Sequence, residues 1–221
     1  MTKRPLFITF EGGEGAGKTT LISNLHHELL QRGYDVVVTR EPGGSKLGNH
    51  IRHWLLNRDF DFTVGTNAEL LLFLAARAQH IEELIRPALA AGKTVLCDRF
   101  NDSTVAYQGV ARGLGLDAVQ NLCDLVCGEI VPNLTFFIDV DPSEGLRRTR
   151  CVDKENSKAG EVDRIESEAL AFHQRVRDGL QQLAARYPQR IHTLDGHHPP
   201  ADVLLSAIHA LNTYLSNYER V

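Results

Sequence analysis

Residues 12–19 contain the feature that most limits how this chain can fold. They read Gly-Gly-Glu-Gly-Ala-Gly-Lys-Thr and match the pattern G-x-x-x-x-G-K-S/T in full. The match follows a short apolar run, Leu6–Phe10, and precedes a helical pattern, Leu21–Arg32, which is the context that supports it. Glycines let successive backbone N–H groups turn inward around phosphate oxygens. The sequence therefore predicts a phosphate-binding loop between a buried strand and the N-terminus of a helix.

Two side chains at the end of this loop have specific expected roles. Lys18 is expected to contact the β- and γ-phosphates of a nucleoside triphosphate, and Thr19 to offer its hydroxyl to Mg²⁺. The alternative is a glycine-rich turn without a ligand, but a helix-starting lysine after such a loop makes poor sense without an anion. No N-K-x-D guanine signature is present, so a GTPase is not favoured. The residues predicted to bind the donor, ATP, are Gly12, Gly13, Glu14, Gly15, Ala16, Gly17, Lys18, Thr19 and Thr20.

Short apolar runs alternate with helical patterns along the chain. Because strands that alternate with helices form a parallel sheet covered on both faces, we expect an α/β three-layer fold with a five-stranded parallel sheet. The predicted strands are Leu6–Phe10, Val36–Arg40, Thr94–Asp98, Leu134–Val140 and Arg190–Leu194. The predicted helices are Leu21–Arg32, Ala68–Ala91, Ile165–Arg186 and Val203–Tyr214.

Length and charge limit the classes of partner. The chain has 221 residues, which suits one domain spanning residues 1–221. Its net charge of −4 gives no basic field for nucleic acid or an anionic membrane. No apolar run is long enough for a membrane span or a secretory signal. We therefore expect a cytoplasmic protein that binds neither nucleic acid nor membrane.

A charged pair, Asp98-Arg99, ends the third predicted strand. Ligands of parallel sheets bind beyond the carboxyl ends of the strands. There Asp98 could hold a Mg²⁺-bound water, and the planar fork of Arg99 suits a phosphate monoester. The alternative is an ion pair on the protein surface at the end of a strand.

Phe73 and Arg77 are four residues apart, so both project from one face of a predicted helix. An aromatic plate beside a planar donor would make a clamp for a nucleobase. The apolar run Leu70–Ala76, taken alone, favours the alternative, in which Phe73 belongs to the core and Arg77 extends to the surface.

Six segments together resemble bacterial thymidylate kinases, and they occur in that family's order. The resemblance implies a nucleoside-monophosphate-kinase type of fold, a homodimer, and ATP-dependent conversion of dTMP to dTDP with Mg²⁺. The segments are Phe10–Thr20 (FEGGEGAGKTT), Thr39–Gly44 (TREPGG), Leu72–His80 (LFLAARAQH), Asp98–Ser103 (DRFNDS), Ala106–Gln108 (AYQ) and Asp163–Glu166 (DRIE).

The resemblance also implies how the acceptor's phosphate and sugar are held. Glu14 would lie near the sugar 3′-hydroxyl and the acceptor phosphate. Arg99, with help from Arg52, would hold that phosphate. Tyr107 would lie under the sugar, where a 2′-hydroxyl would clash.

On the base side, the resemblance implies that Phe73 stacks on the thymine ring and that Arg77 donates to a base carbonyl. Thr104 and Gln108 would face the base. Pro42 would follow a cis peptide bond, in keeping with a tight turn.

The phosphate-binding loop contains no arginine, so we expect another cation to complete the site. A lid at about residues 147–162 would close over bound ATP and supply it. We favour Arg150 as the catalytic cation, because an arginine fork suits two phosphate oxygens better than an ammonium does. The alternative is that these cations only solvate a surface helix and loop. The candidates are Arg147, Arg148, Arg150, Lys154 and Lys158.

Two rival functions share the phosphate-binding loop. Another nucleotide or deoxynucleoside kinase is one, and a nucleoside kinase would need a carboxylate base such as Glu14 or Glu41. A P-loop ATPase that switches partner binding is the other. That second function leaves four residues without a role: Phe73, Arg77, Arg99 and Tyr107.

Overall fold

The computed structural model describes residues 3–57, 61–155 and 163–218, and a single five-stranded sheet lies at its centre. The strands are β1 (Phe7–Glu11), β2 (Val36–Arg40), β3 (Thr94–Asp98), β4 (Leu134–Asp139) and β5 (Ile191–Asp195). Their order in the sheet is β2-β3-β1-β4-β5, and all neighbours run parallel. The predicted α/β class and five-stranded parallel sheet are confirmed.

Helices connect the strands. Two stretches of π-helix, Ile81–Ile85 and Val105–Ala111, continue α3 and α5 respectively. None of the described helices is both long and apolar enough to cross a bilayer. The helices are α1 (Lys18–Gln31), α2 (Lys46–Leu56), α3 (Thr66–His80), α4 (Arg86–Ala90), α5 (Asn101–Thr104), α6 (Leu116–Cys127), α7 (Pro142–Glu155), α8 (Leu170–Arg186) and α9 (Pro200–Tyr218).

Apolar side chains cover both faces of the central strands. On one face, Phe10 and Phe136 pack with Leu25 of α1 and Leu211 of α9. On the other face, Phe137 packs with side chains of α3, α8 and the second π-helical stretch. Each such side chain stabilises the fold by about 1.5–3 kcal/mol when fully buried. This packing holds the carboxyl ends of the strands, where ligands are expected, in a fixed arrangement.

Two glycines allow the phosphate-binding loop to approach α7 backbone to backbone. Gly15 has φ +64°, and a Cβ there would overlap the carbonyl oxygen of Gly145. A Cβ on Gly145 would in turn overlap the carbonyl oxygen of Glu14. The loop and the first turn of α7 can therefore be in contact only because neither position carries a side chain.

Most sequence predictions of local structure are confirmed, with three differences. The helix predicted at 165–186 begins only at Leu170, because the backbone at Ala169 is extended (φ −63°, ψ 151°). Before this break, the Asp163 carboxylate caps a single turn by accepting from the N–H groups of Ile165 and Glu166, both at 2.8 Å. Helices α2 and α5 were not predicted. Helix α2 contains Gly48, a poor helix former, but Gly48 N–H donates to the Ser45 side chain at the N-cap. The predicted cis bond before Pro42 is present.

We predict that Gly145→Ala destabilises the protein, because the added methyl group would push α7 away from the phosphate-binding loop. The expected loss is about 1–3 kcal/mol of unfolding free energy. Urea denaturation measures it, and Gly65→Ala is the matched control because a Cβ at Gly65 meets nothing within 4 Å. Equal stability of the two variants would mean that the loop and α7 are not tightly packed.

Candidate active site

A cleft of about 960 Å³ opens at the carboxyl ends of the strands. It contains side chains from both predicted halves of the site, the phosphate-binding loop and the base clamp. Gly12 and Gly13 are not part of its lining. The predicted residues that line it are Glu14, Gly15, Ala16, Gly17, Lys18, Thr19, Thr20, Arg52, Phe73, Arg77, Asp98, Arg99, Thr104, Tyr107, Gln108 and Arg148.

Lys18 is folded back onto the phosphate-binding loop. Its ammonium donates to the carbonyl oxygens of Gly13 at 2.8 Å and Gly12 at 3.1 Å. Burial, followed by the nearby Arg99, lowers the pKa of Lys18, while carboxylates including Glu14 oppose that change. The ammonium is therefore held inside the cleft by carbonyl oxygens that an anionic ligand can replace.

Arg99 lies at the end of β3 in a left-handed backbone conformation, φ +64°. Its Nη2 donates to Oε1 of Glu14 at 2.5 Å, and its Nη1 donates to the Gly12 carbonyl at 2.9 Å. The guanidinium carbon lies 5.1 Å from the centre of the Tyr107 ring. The predicted arginine therefore faces the cleft, where it is paired with the acid of the phosphate-binding loop.

Glu14 is the anion at the centre of this group. Burial alone would raise its pKa, but Arg99, Lys18 and the Tyr107 hydroxyl lower it to about 2. The Tyr107 hydroxyl donates to Oε1 of Glu14 at 3.1 Å. Glu14 is thus ionised at neutral pH and balances two buried cations.

Glu11, at the end of β1, binds the residues that follow Arg99, a role that the sequence did not indicate. Its carboxylate accepts from the Phe100 N–H at 2.8 Å and from the Ser103 hydroxyl. Burial and the nearby Asp102 carboxylate raise the pKa of Glu11 to about 7. Its position at the end of β1 was visible in the sequence, but its long-range partners were not.

Arg77 is buried on the base side of the cleft and does not extend to the surface. Its Nε donates to Glu41 at 2.8 Å and its Nη2 to the Thr104 hydroxyl at 2.8 Å. Glu41 also pairs with His80 at 2.9 Å. Phe73 is partly buried and lines the cleft beside Arg77.

Arg52 and Gln108 are each held by a neighbour. Arg52 Nη1 donates to the Pro42 carbonyl at 3.1 Å. The amide nitrogen of Gln108 donates to Glu69 at 2.8 Å. Glu69 does not line the cleft, and no local pattern in the sequence pointed to it.

Thr19 and Asp98, the two residues predicted to hold a metal, both line the cleft. Their oxygen atoms suit a divalent cation that binds together with a nucleotide. Oδ1 of Asp98 is buried and has no hydrogen-bond partner among the described residues. Such an oxygen is normally satisfied by water or a ligand. The described part of the chain has no cluster of three or more His, Cys, Asp or Glu side chains that could hold a metal. Thr19 and Asp98 could therefore hold such a cation only together with phosphate oxygens and water.

The predicted lid cations are only partly within the described structure. The Arg148 side chain lines the cleft and donates to the Gly196 carbonyl at 3.0 Å. Arg147 and Arg148 both pair with Glu144. The side chains of Arg150 and Lys154, and the whole of Lys158, lie outside the described residues.

Comparisons with known proteins agree on one family. The family model for thymidylate kinase matches residues 10–207. The chain is 54% identical to a thymidylate kinase of Protochlamydia amoebophila, over 96% of this chain and 95% of that protein. It is 44% identical to one of Geobacillus thermodenitrificans, over 97% and 92%. The crystal structure of the thymidylate kinase of Ehrlichia chaffeensis superposes with a TM-score of 0.73 at 35% identity, covering 95% of this chain and 99% of that one.

We predict that Glu14→Gln lowers stability at pH 7 by about 1–3 kcal/mol, because Arg99 and Lys18 lose their shared counter-charge. The pKa of Glu14 is depressed from its ordinary 4.5 to about 2 in the folded protein. Its stabilisation is therefore complete above pH 4.5 and is lost as the pH falls towards 2. Urea denaturation across this range should show the difference between wild type and variant shrinking as the pH falls. A difference that is independent of pH would contradict the ion pairing.

Proposed function

The chain belongs to the thymidylate kinase family, and we propose that it transfers the γ-phosphoryl group of ATP to the phosphate of dTMP, giving ADP and dTDP. The observation that carries this proposal is the single cleft in which the phosphate-binding loop faces Arg99 and the Phe73–Arg77 pair. A phosphate donor and an aromatic nucleotide acceptor can be held there together.

The donor phosphates would bind at the N-terminus of α1. The backbone N–H groups of the loop and the positive end of the helix dipole attract the anion. The Lys18 ammonium would then exchange the carbonyl oxygens of Gly12 and Gly13 for phosphate oxygens. Catalysis here consists mainly of alignment and charge neutralisation.

The acceptor phosphate would take the place of Glu14 on Arg99. A phosphate dianion offers two oxygens to the guanidinium group of Arg99. At present Nη2 of Arg99 donates to one carboxylate oxygen, Oε1 of Glu14, at 2.5 Å. Arg52 would add a second cation, and Glu14 would turn towards the sugar 3′-hydroxyl above Tyr107. No general base is required, because the dianion is already a nucleophile.

The base would lie between Phe73 and the buried polar side chains of the cleft. Phe73 would stack on the thymine ring, and Arg77 would donate to a ring carbonyl. Thr104 and Gln108 would face the ring edge. These roles follow from the resemblance and agree with the position of all four side chains in the lining.

We propose that Thr19 and Asp98 hold Mg²⁺ together with the nucleotide phosphates, Asp98 acting through water. Mg²⁺ would neutralise charge on the transferred phosphoryl group. The buried Oδ1 of Asp98, which accepts no hydrogen bond from the described residues, supports this assignment.

A coupled assay of ADP release tests the function. We expect release to depend on a nucleoside monophosphate, with dTMP preferred over dCMP, dGMP and AMP. Lys18→Ala should lower kcat at least about a hundredfold, equivalent to roughly 2.7 kcal/mol of barrier. ADP release without an acceptor would favour an ATPase switch. Phosphorylation of thymidine in place of dTMP would favour a nucleoside kinase.

We propose that Arg150 is the catalytic cation of a lid at residues 147–162. Arg150→Ala should lower kcat by about a hundredfold while leaving the KM for dTMP nearly unchanged. Lys154→Ala and Lys158→Ala should have mild effects, and Arg147→Ala is the control from the same helix. Steady-state kinetics decides the matter. A normal kcat for Arg150→Ala beside a collapsed kcat for Arg148→Ala or a lysine variant would contradict the assignment.

We also propose that residues 1–221 form one cytoplasmic kinase domain that assembles as a homodimer. Helices α3 and α6 pack against each other, and both have apolar side chains exposed to solvent. A second copy of the chain would remove this surface from water. The exposed residues are Ala68, Leu71, Ala75 and Ala78 on α3, and Ala118, Leu122 and Leu125 on α6.

We predict that Ala75→Glu converts the dimer into a monomer, because it would bury a charge at the proposed interface. Sedimentation equilibrium measures the mass in solution. Leu205→Glu is the matched control, since Leu205 is an exposed apolar residue of α9 that lies beside β5. A wild-type protein that sediments as a monomer would refute the proposed dimer, and a dimeric Ala75→Glu variant would refute the proposed surface.

A further inference from the structure

A buried carboxylate behind the cleft holds one of the groups that line it. Only 1% of Glu69, on α3, is exposed. Its Oε1 accepts from the amide nitrogen of Gln108 at 2.8 Å and from Nε of Arg112 at 3.2 Å. Its Oε2 accepts from Nη2 of Arg112 at 3.3 Å and from Nη2 of Arg164 at 2.5 Å. Every partner of this carboxylate is thus a donor.

The charge of Glu69 decides which end of the Gln108 amide points away from it. Burial alone would raise the pKa of Glu69, but hydrogen bonds from Gln108, Arg164 and Arg112 lower it. The group is therefore ionised and can only accept hydrogen bonds. A flipped amide would place its oxygen against a carboxylate oxygen. Gln108 must turn its nitrogen to Glu69, which leaves its oxygen for the cleft that it lines.

We propose that Glu69 is a positioning residue that sets the base preference of the cleft by fixing Gln108 as an acceptor. The guanidinium of Arg77 can only donate hydrogen bonds, so nothing needs to fix its role. The amide of Gln108 can present either its donor NH₂ group or its acceptor oxygen to the cleft. A donor at Arg77 beside an acceptor at Gln108 complements the 4-carbonyl and the N3–H of thymine. It opposes the amino group and the unprotonated N3 of cytosine. This inference rests on the proposed function, in which thymidylate is the acceptor.

The probe is 5-methyl-dCMP, which keeps the methyl group and the 2-carbonyl of thymine but has an unprotonated N3 and a 4-amino group. The measured quantity is the ratio of kcat/KM for dTMP to kcat/KM for this analogue. A lost hydrogen bond to a buried acceptor leaves that acceptor unpaired, so we expect a wild-type ratio of about 10 to 100.

The isosteric variant Glu69→Gln should reverse the amide of Gln108. Two arginine N–H groups, from Arg112 and Arg164, point at the Oε2 position, and one points at Oε1. The oxygen of the new amide should therefore take the Oε2 position and turn its NH₂ group towards Gln108. Gln108 would then show its own NH₂ group to the cleft. The ratio of kcat/KM for dTMP to kcat/KM for 5-methyl-dCMP should fall at least about tenfold, through loss of activity on dTMP.

Arg112→Gln is the matched control, because it removes a cationic partner of Glu69 but leaves the bond to Gln108. Its ratio should equal that of the wild type. The double variant Glu69→Gln with Gln108→Glu again leaves only acceptor oxygens facing the cleft, so it should restore the preference for dTMP. This rescue distinguishes orientation of the amide from a general loss of packing. It also decides the matter if the single variant does not fold.

The outcomes separate this inference from the function on which it rests. A wild-type protein that does not phosphorylate dTMP would refute the proposed function, and this inference with it. A wild-type protein that phosphorylates dTMP but does not distinguish it from 5-methyl-dCMP would overturn the inference alone. So would an unchanged ratio in Glu69→Gln, or an equal fall in Arg112→Gln.

Discussion

The arrangement of the cleft depends on the parallel pairing of β1 with β3. This pairing brings the end of β1, where the phosphate-binding loop begins, beside the end of β3, where Arg99 follows Asp98. The Arg99 N–H donates to the Phe10 carbonyl, so the ladder continues into the turn that carries the guanidinium. Glu11 then accepts from the Phe100 N–H and fixes the next residue. The donor and acceptor halves of the site are therefore held at one edge by the backbone of two buried strands.

Charge balance around this edge explains why the site can be buried. Buried ions are stable only when they are paired and hydrogen-bonded. Glu14 balances Arg99 and Lys18, and Glu41 balances Arg77. In the part of the chain that the structure describes, Lys18 and Arg52 also donate to backbone carbonyl groups. Phosphates would replace the present partners of Lys18 and Arg99, so binding would exchange one set of charge interactions for another.

The sequence predicted the parts of the site that belong to continuous segments. The phosphate-binding loop, the strand ends and the i, i+4 pair of Phe73 and Arg77 all follow from local patterns, and they line one cleft. The carboxylates Glu41 and Glu69, which hold Arg77 and Gln108, were not assigned to these partners. Their bonds join residues 36 and 39 positions apart, and such pairs depend on tertiary packing. The late start of α8 was also missed, because the extended backbone at Ala169 interrupts an otherwise helical sequence pattern.

The claim that Arg99 exchanges Glu14 for the acceptor phosphate is tested most directly by isothermal titration calorimetry with dTMP and thymidine. The two ligands differ only in the phosphate group. The wild-type protein should bind dTMP at least about a hundredfold more tightly than thymidine, because the phosphate gains a bidentate, charge-assisted contact. In Arg99→Met this difference should nearly disappear, while the Kd for thymidine stays close to the wild-type value. An Arg99→Met variant that keeps the full preference for dTMP would contradict the account.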